Sequence, residues 1–244
     1  MIKRIGFVAR RPGTDVDEFH AGWRGRHAEL VTESPAGAEH LLRYEQHRRT
    51  PKDYARTDCP WDGVAVQWYD SWEGFQTMRT DPRHAAVRAD AAERFGAVLE
   101  ILTSEEMEVV PGPAERGVPI TKLICGVRRK PGMDRDKFHR YWWEEHGALN
   151  RDTPSVAKYL IRYEQNHRLP EDYDRTECDL DGVTIEWFRS ARDFFGMATD
   201  PEGSALIRAD EAKFLDPAEL VWLLTGPEHV VLDRLIGGSA RTSA

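Results

Sequence analysis

The 244 residues are 40% hydrophobic and 31% charged, the composition of a soluble globular chain long enough for one large domain or two ordinary ones. No run approaches the roughly 18 consecutive apolar residues that a membrane span needs, and Met1–Phe7 has no apolar signal-peptide core, so a cytoplasmic protein with no membrane partner is expected. A net charge of -8 and a pI near 5.6 argue against a nucleic-acid partner, because phosphate binding draws on clustered Lys and Arg.

A repeat decides the domain count. Adding 119 to a residue number in the first half gives its partner in the second, without a gap from Lys3/Lys122 to about Ala86/Ala205. The offset becomes 120 at Arg88-Ala89-Asp90 against Arg208-Ala209-Asp210, and 122 at Leu102-Thr103 against Leu224-Thr225. The expected division is a first repeat over 1–110, a linker over 111–120 rich in Pro and Gly, a second repeat over 121–232 and a flexible tail over 233–244. Cys59, Cys125 and Cys178 form no disulfide framework or Cys-x-x-Cys clip, and read as free thiols.

In chain order, residues 3–9 and 121–128 are apolar-rich and stop at Pro-Gly, which predicts a first strand and a turn. Asp15 or Asp17, and Asp134 or Asp136, then stand where an N-cap acceptor satisfies free helix amides. The helix that follows carries the stretch around which each repeat is organised. Phe19, His20, Trp23, His27 and Leu30 recur as Phe138, His139, Trp142, His146 and Leu149. At about 100° per residue these positions share an arc of about 100°, setting two imidazoles beside an apolar stripe. The helix is expected to end before Pro35 and Pro154.

A second strand is predicted over about 39–47 and 157–166, and 48–62 and 167–181 read as long polar loops. The β-branched and aromatic runs 64–69 and 183–188 form a third strand. Helices are expected at 72–79 and 83–95, with twins at 191–198 and 203–214, before a last strand at 98–109 and 219–225. The order strand, helix, strand, strand, helix, strand is the ferredoxin-like one, with helices on one face of an antiparallel sheet. The fold class is therefore α+β: two ferredoxin-like βαββαβ repeats in one chain, whose bare sheet faces would be buried by forming an intramolecular dimeric α/β barrel.

Assembled, the residues resemble the EthD family of the dimeric α/β-barrel superfamily. The resemblance rests on Arg-Lys-Pro-Gly (129–132), Phe-His-x-Tyr-Trp-x-x-x-His (138–146), Tyr-x-Gln-Asn-His (163–167), Asp-Gly-Val (181–183) and Trp-Phe-x-Ser (187–190). The first repeat departs with Gly22 for Tyr141 and His47-Arg48 for Asn166-His167, which leaves residues 121–232 closer to the pattern. The resemblance implies small-molecule chemistry of the kind found in ether degradation or polyketide tailoring. It also implies a pocket between sheet and helices, toward which His27 and His146 would point.

His146 and His27 are the leading proton-transfer candidates, or else buried histidines bonded across the helix–sheet interface. His139 and His20 sit at the edge of the arc and are expected to be half-exposed. Tyr163 with Gln165, and Tyr44 with Gln46, alternate onto one strand face, to orient a ligand oxygen or to fill the core. Trp142, Trp23, Trp187 and Trp68 belong to the core or, in a pocket, suit a flat ligand. Glu186, whose twin is Gln67, is either a buried acid of raised pKa or the ion-pair partner of an arginine such as Arg162.

No metal is expected, since His139 and His146 are about two helical turns apart. No phosphate loop or serine elbow occurs either, and no cofactor is expected. The expected function is a cofactor-independent lyase or isomerase that dehydrates, decarboxylates or cyclises a hydrophobic, oxygenated small-molecule substrate. The alternatives are a cofactor-free monooxygenase of a phenol and a non-catalytic binder. As a pseudo-dimer the chain would be a monomer, with further homodimerisation open.

Overall fold

In the computed structural model, which describes residues 1–112, 120–216 and 220–235, the chain divides into two units, each built on a five-stranded antiparallel sheet. The linker core 113–119 and the tail from 236 onward lie outside the described residues.

In the first unit, β1 (Ile2–Arg10), β2 (Leu41–Arg48), β3 (Gly63–Tyr69) and β4 (Phe95–Thr103) take the ferredoxin-like order β2-β3-β1-β4. The next strands in the chain are β5 (Met107–Val110), β6 (Thr121–Val127), β7 (Leu160–His167), β8 (Gly182–Phe188), β9 (Val221–Thr225) and β10 (His229–Asp233). The second sheet runs β5-β7-β8-β6-β9, while β10 pairs with β2 of the first. Each sheet thus gains a fifth strand from beyond its own repeat. The single strand expected over 98–109 breaks at residues 104–106, because β4 is bonded to β1 and β5 to β7, and one straight strand cannot serve both ladders.

Loop 50–59 of the first repeat packs with the second unit. There Thr50 N–H donates to the Leu224 carbonyl at 2.8 Å, and the Arg56 guanidinium lies 3.2 Å from the Trp222 ring centroid. The pairing of this loop closes part of the free edge of β9.

The long helix of each repeat starts at an aspartate that accepts from its first amides, Asp15 and Asp134. Its middle is a π-helical turn, Trp23–His27 and Trp142–His146, on the motif itself. A π turn inserts an extra residue into the helical phase. The buried face therefore continues to Val31 and Asn150, whereas Leu30 and Leu149 of the expected arc are only partly buried. His20, ahead of that turn, is 1% exposed rather than half-exposed and packs against the Phe19 and Trp23 rings, whereas its twin His139 is partly buried.

On β1 and β3, Lys3, Ile5, Phe7, Val64, Val66 and Trp68 share one face, and Arg4, Val8, Ala65, Gln67 and Tyr69 share the other. In the second unit, Phe138, Trp142 and Phe214 form one apolar cluster, and Tyr163, Phe188, Phe194 and Leu224 another. All three cysteines are buried free thiols. Among the described residues no helix is long and apolar enough to cross a membrane, and no group of three or more His, Cys, Asp or Glu is placed to hold a metal ion.

Candidate active site

The helix-bearing face of the first sheet encloses a cavity of about 290 Å³. Tyr44, Gln67, Tyr69 and Arg4 contribute from the strands, Trp23, His27 and Val31 from the long helix, and Phe75 and His84 from the later helical segments. Gly63 is what lets Trp23 reach its place: a Cβ there would lie 2.6 Å from the indole and 2.7 Å from the His47 carbonyl.

His27 is the chemical centre of this wall. Its Nδ1 lies 2.8 Å from Asp90 Oδ2. Arg94 in turn donates to both Asp90 oxygens, from Nη2 at 2.7 Å and Nε at 3.1 Å. A carboxylate accepts only, so Nδ1 carries the proton and Nε2 is left as a lone-pair acceptor. Among the described residues nothing hydrogen-bonds that Nε2. Burial lowers the pKa of His27, and the bond and charge of Asp90 oppose this without overcoming it, so the ring is a neutral base near pH 7.

Opposite stands a polar group built on the sheet. Arg4 ion-pairs through Nε with Glu100 and donates from Nη1 to Gln67 Oε1 at 2.7 Å, which also accepts from the Tyr69 hydroxyl at 3.1 Å. Tyr44 is buried, its hydroxyl accepting from Gln46 Nε2 at 2.8 Å; burial pushes its pKa up to about 12. Gln46 also donates to the Trp23 carbonyl at 2.8 Å, so it holds the wall instead of lining the cavity.

The second repeat repeats the dyad with different surroundings. His146 Nδ1 lies 2.9 Å from Asp210 Oδ2, but Asn150 Nδ2 donates to His146 Nε2 at 3.1 Å, so both ring nitrogens are engaged. Tyr141 donates to Asp210 at 2.6 Å and takes the place of the Arg94 guanidinium, which lies over its twin Gly22; Phe214 packs on His146 as Phe95 packs on His27. Burial acts to raise the Asp210 carboxyl, yet the bonds from His146, Tyr141 and Lys213 outweigh it and hold it at about 2. Leu123, Phe188 and Trp222 take the places of Arg4, Tyr69 and Glu100 and pack with the apolar cluster around Tyr163.

Several expected site residues lie elsewhere. Trp68 and Trp187 are on the opposite sheet face from Gln67 and Glu186, packed under cations: Lys3 and Arg43 over Trp68, Lys122 and Arg162 over Trp187. The β7–β8 register pairs Tyr163 with Glu186 and Arg162 with Trp187, so Arg162 cannot be the partner of Glu186. Glu186 is instead a buried acid whose Oε2 has no hydrogen-bond partner among the described residues; burial and then Glu211 raise it to about 8. Gln165 donates to the Tyr163 hydroxyl and the Trp142 carbonyl, as Gln46 does in the first repeat. His139 is taken up by His167 Nδ1 at 2.8 Å and the Tyr173 hydroxyl at 2.9 Å, and the Tyr173 hydroxyl donates to Asp181.

Sequence reasoning missed Asp90, Arg4, His84 and Glu100 as site residues. Only Asp90 had a signal, in the Arg-Ala-Asp written in both repeats.

The EthD domain matches residues 11–96 and 130–218, most of each repeat. No curated protein sequence matches the chain. Among solved structures it is similar to an anthrone oxidase-like protein, at 9% identity, with 96% of this chain and 94% of that one covered and a TM-score of 0.66. It is also similar to a proposed monooxygenase from Fusobacterium nucleatum subsp. nucleatum, at 7% identity, 94% and 92% coverage and a TM-score of 0.55. A mutant chlorite dismutase from Candidatus Nitrospira defluvii follows at 12% identity, 93% and 91% coverage and a TM-score of 0.53. At such identities the likeness is one of fold, whereas the domain match covers well over half of the sequence: the chain belongs to the EthD domain family.

Proposed function

We propose that the cavity of the first repeat is an active site in which His27 Nε2 removes or returns a proton on a hydrophobic, oxygenated small molecule. The observation that carries this is the His27–Asp90 dyad, with the proton held on Nδ1 and Nε2 unpartnered at the cavity wall. A neutral imidazole with a pKa below its ordinary value stays competent at pH 7, and a positioned base of this kind contributes about 10²–10⁴ in rate. The wall of Trp23, Tyr44, Tyr69 and Phe75 suits an aromatic ligand, and the volume is near the lower end for small-molecule sites. Dehydration and aldol cyclisation begin by removing a proton beside a carbonyl, and decarboxylation ends by returning one to the carbanion left when CO2 departs. On this reading the protein is a lyase or isomerase, and the second repeat, whose His146 has both nitrogens engaged, supports the fold.

A second reading is favoured by the fold shared with an anthrone oxidase-like protein. Here the same base ionises a phenol or its keto tautomer and dioxygen oxidises the carbanion, one oxygen atom entering the product and the other leaving as water.

Anthrone, a flat ketone with acidic methylene protons, tests both. Under argon in D2O, the first reading expects deuterium to enter the methylene faster than in buffer, and His27→Ala to return it to the buffer rate. Under air, the second expects one dioxygen consumed per anthraquinone formed. Binding with neither exchange nor oxidation would leave a carrier instead of an enzyme.

A further inference from the structure

The cavity holds two polar atoms that the proton-transfer reading does not use. The first belongs to Arg4. Its Nε and Nη1 are committed to Glu100 and Gln67, and among the described residues Nη2 has no hydrogen-bond partner. The guanidinium lies over Gly6, whose ideal Cβ would be 3.4 Å from Nη2; the second repeat has Cys125 at that position and Leu123 in place of Arg4. A Cβ at Gly6 would be in ordinary van der Waals contact with the guanidinium, so what separates the two sites here is Leu123 in place of Arg4.

The second is His84, 5% exposed, with Nδ1 at 2.9 Å from Ser34 Oγ. Ser34 Oγ accepts from the Gly37 amide and donates to the Val31 carbonyl, which lies in the last turn of its helix and would otherwise lose its partner. With its one hydrogen so used, Ser34 can only accept from His84. The tautomer assigned by this network puts the proton on Nδ1 and leaves Nε2 as an acceptor, as in His27. The two rings and the guanidinium line one cavity. The second repeat has Gly203 at the position of His84.

We propose that Arg4 and His84 set the specificity of this cavity: Arg4 Nη2 receives a carbonyl or ionised oxygen of the ligand, and Nε2 of His84 and of His27 each receive a hydroxyl hydrogen. The ligand class is then a small aromatic ketone bearing at least two hydroxyl groups. This rests on the reading of the cavity as the site. Replacing either hydroxyl by an ether leaves an imidazole lone pair without a donor, which costs about tenfold in affinity per bond.

Calorimetry on the full chain with 3,5-dihydroxyacetophenone, 3,5-dimethoxyacetophenone and resorcinol tests this. The dihydroxy ketone is expected to bind about a hundredfold tighter than its dimethyl ether, about tenfold for each of the two bonds. His84→Phe should reduce that preference by about tenfold, leaving the share that His27 carries, and His84→Gln, which keeps an acceptor, should restore part of it. Arg4→Met/Glu100→Gln, which removes the ion pair as a unit, should weaken both ketones about tenfold and leave resorcinol unchanged; Arg4→Lys serves if the double variant fails to fold. Equal affinity for the two ketones, or an Nε2-protonated His84 in ¹⁵N-resolved imidazole spectra, overturns the specificity. Val98→Trp, on the exposed rim, separates the two ideas. If it abolishes binding, the cavity reading stands even when the specificity fails. If it leaves binding unchanged, the probes sit elsewhere and both fall.

Discussion

Asp90→Asn probes the dyad without altering its shape. In the native site Asp90 Oδ1 takes the shorter Arg94 bond, at 2.7 Å, and Oδ2 takes His27 Nδ1 at 2.8 Å and Arg94 Nε at 3.1 Å. An asparagine has one acceptor oxygen, and Arg94 can only donate, so that oxygen is drawn to Nη2. The amide NH2 then faces His27 Nδ1, which can receive its hydrogen only by giving up its own. The ring switches to the Nε2–H tautomer, and the atom facing the cavity turns from acceptor to donor.

Losing the charge also exchanges a charge-assisted bond for a neutral one, a difference of about 1–1.5 kcal/mol, which lowers the pKa of His27 further. Two measurements follow. ¹⁵N imidazole shifts should show His27 moving from Nδ1–H to Nε2–H. Catalysed deuterium entry into anthrone should fall by about 10²–10⁴, the full worth of a positioned base. A variant that keeps His27 protonated on Nδ1, with exchange within about twofold of wild type, would refute the account of how Asp90 acts.

Two further expectations concern the scaffold. Gly63→Ala forces a Cβ to within 2.7 Å of the His47 carbonyl, which is backbone and cannot retreat, and against the Trp23 indole; a loss of about 1–3 kcal/mol is expected in urea unfolding, and a change below about 0.5 kcal/mol would sink the packing argument. Glu186→Gln should stabilise the chain increasingly with pH. The folded pKa of Glu186 is raised to about 8, above the ordinary carboxyl value, so the folded state binds more protons between these two values and wild type loses stability as pH rises through that window. The gain is expected to reach roughly 4–5 kcal/mol and to level off above pH 8, as read from urea midpoints; a gain that does not change between pH 5 and pH 8.5 would mean that Glu186 is ionised throughout.

Most of the secondary structure was legible because it depends on local signals. Asp15 and Asp134 cap the helices where a short acceptor precedes an apolar stripe, and Gly13 and Gly132, at φ values of +87° and +80°, turn the chain where Pro-Gly stands. The π turn was not legible, since a uniform 100° step places Leu30 and Leu149 on the buried face and nothing local marks the extra residue. The break after β4 escaped for a similar reason: residues 98–109 read as continuous, and only their pairing with two different sheets separates them. The Glu186–Arg162 pairing fell to register, which local alternation within each strand cannot supply.

The sequence by itself determined two repeats, the α+β ferredoxin-like class and the family, because a twice-written pattern carries its own internal control on strand order and on the His-bearing helix. The structure decided which histidine keeps an open ring nitrogen. His27 and His146 occupy equivalent positions and both bind an aspartate through Nδ1, yet Val31 leaves one Nε2 open where Asn150 fills the other. That contact is made four residues along the same helix, where the π turn sets the side-chain phase, whereas Arg4 against Leu123 meets the histidine wall only once sheet and helix are packed together.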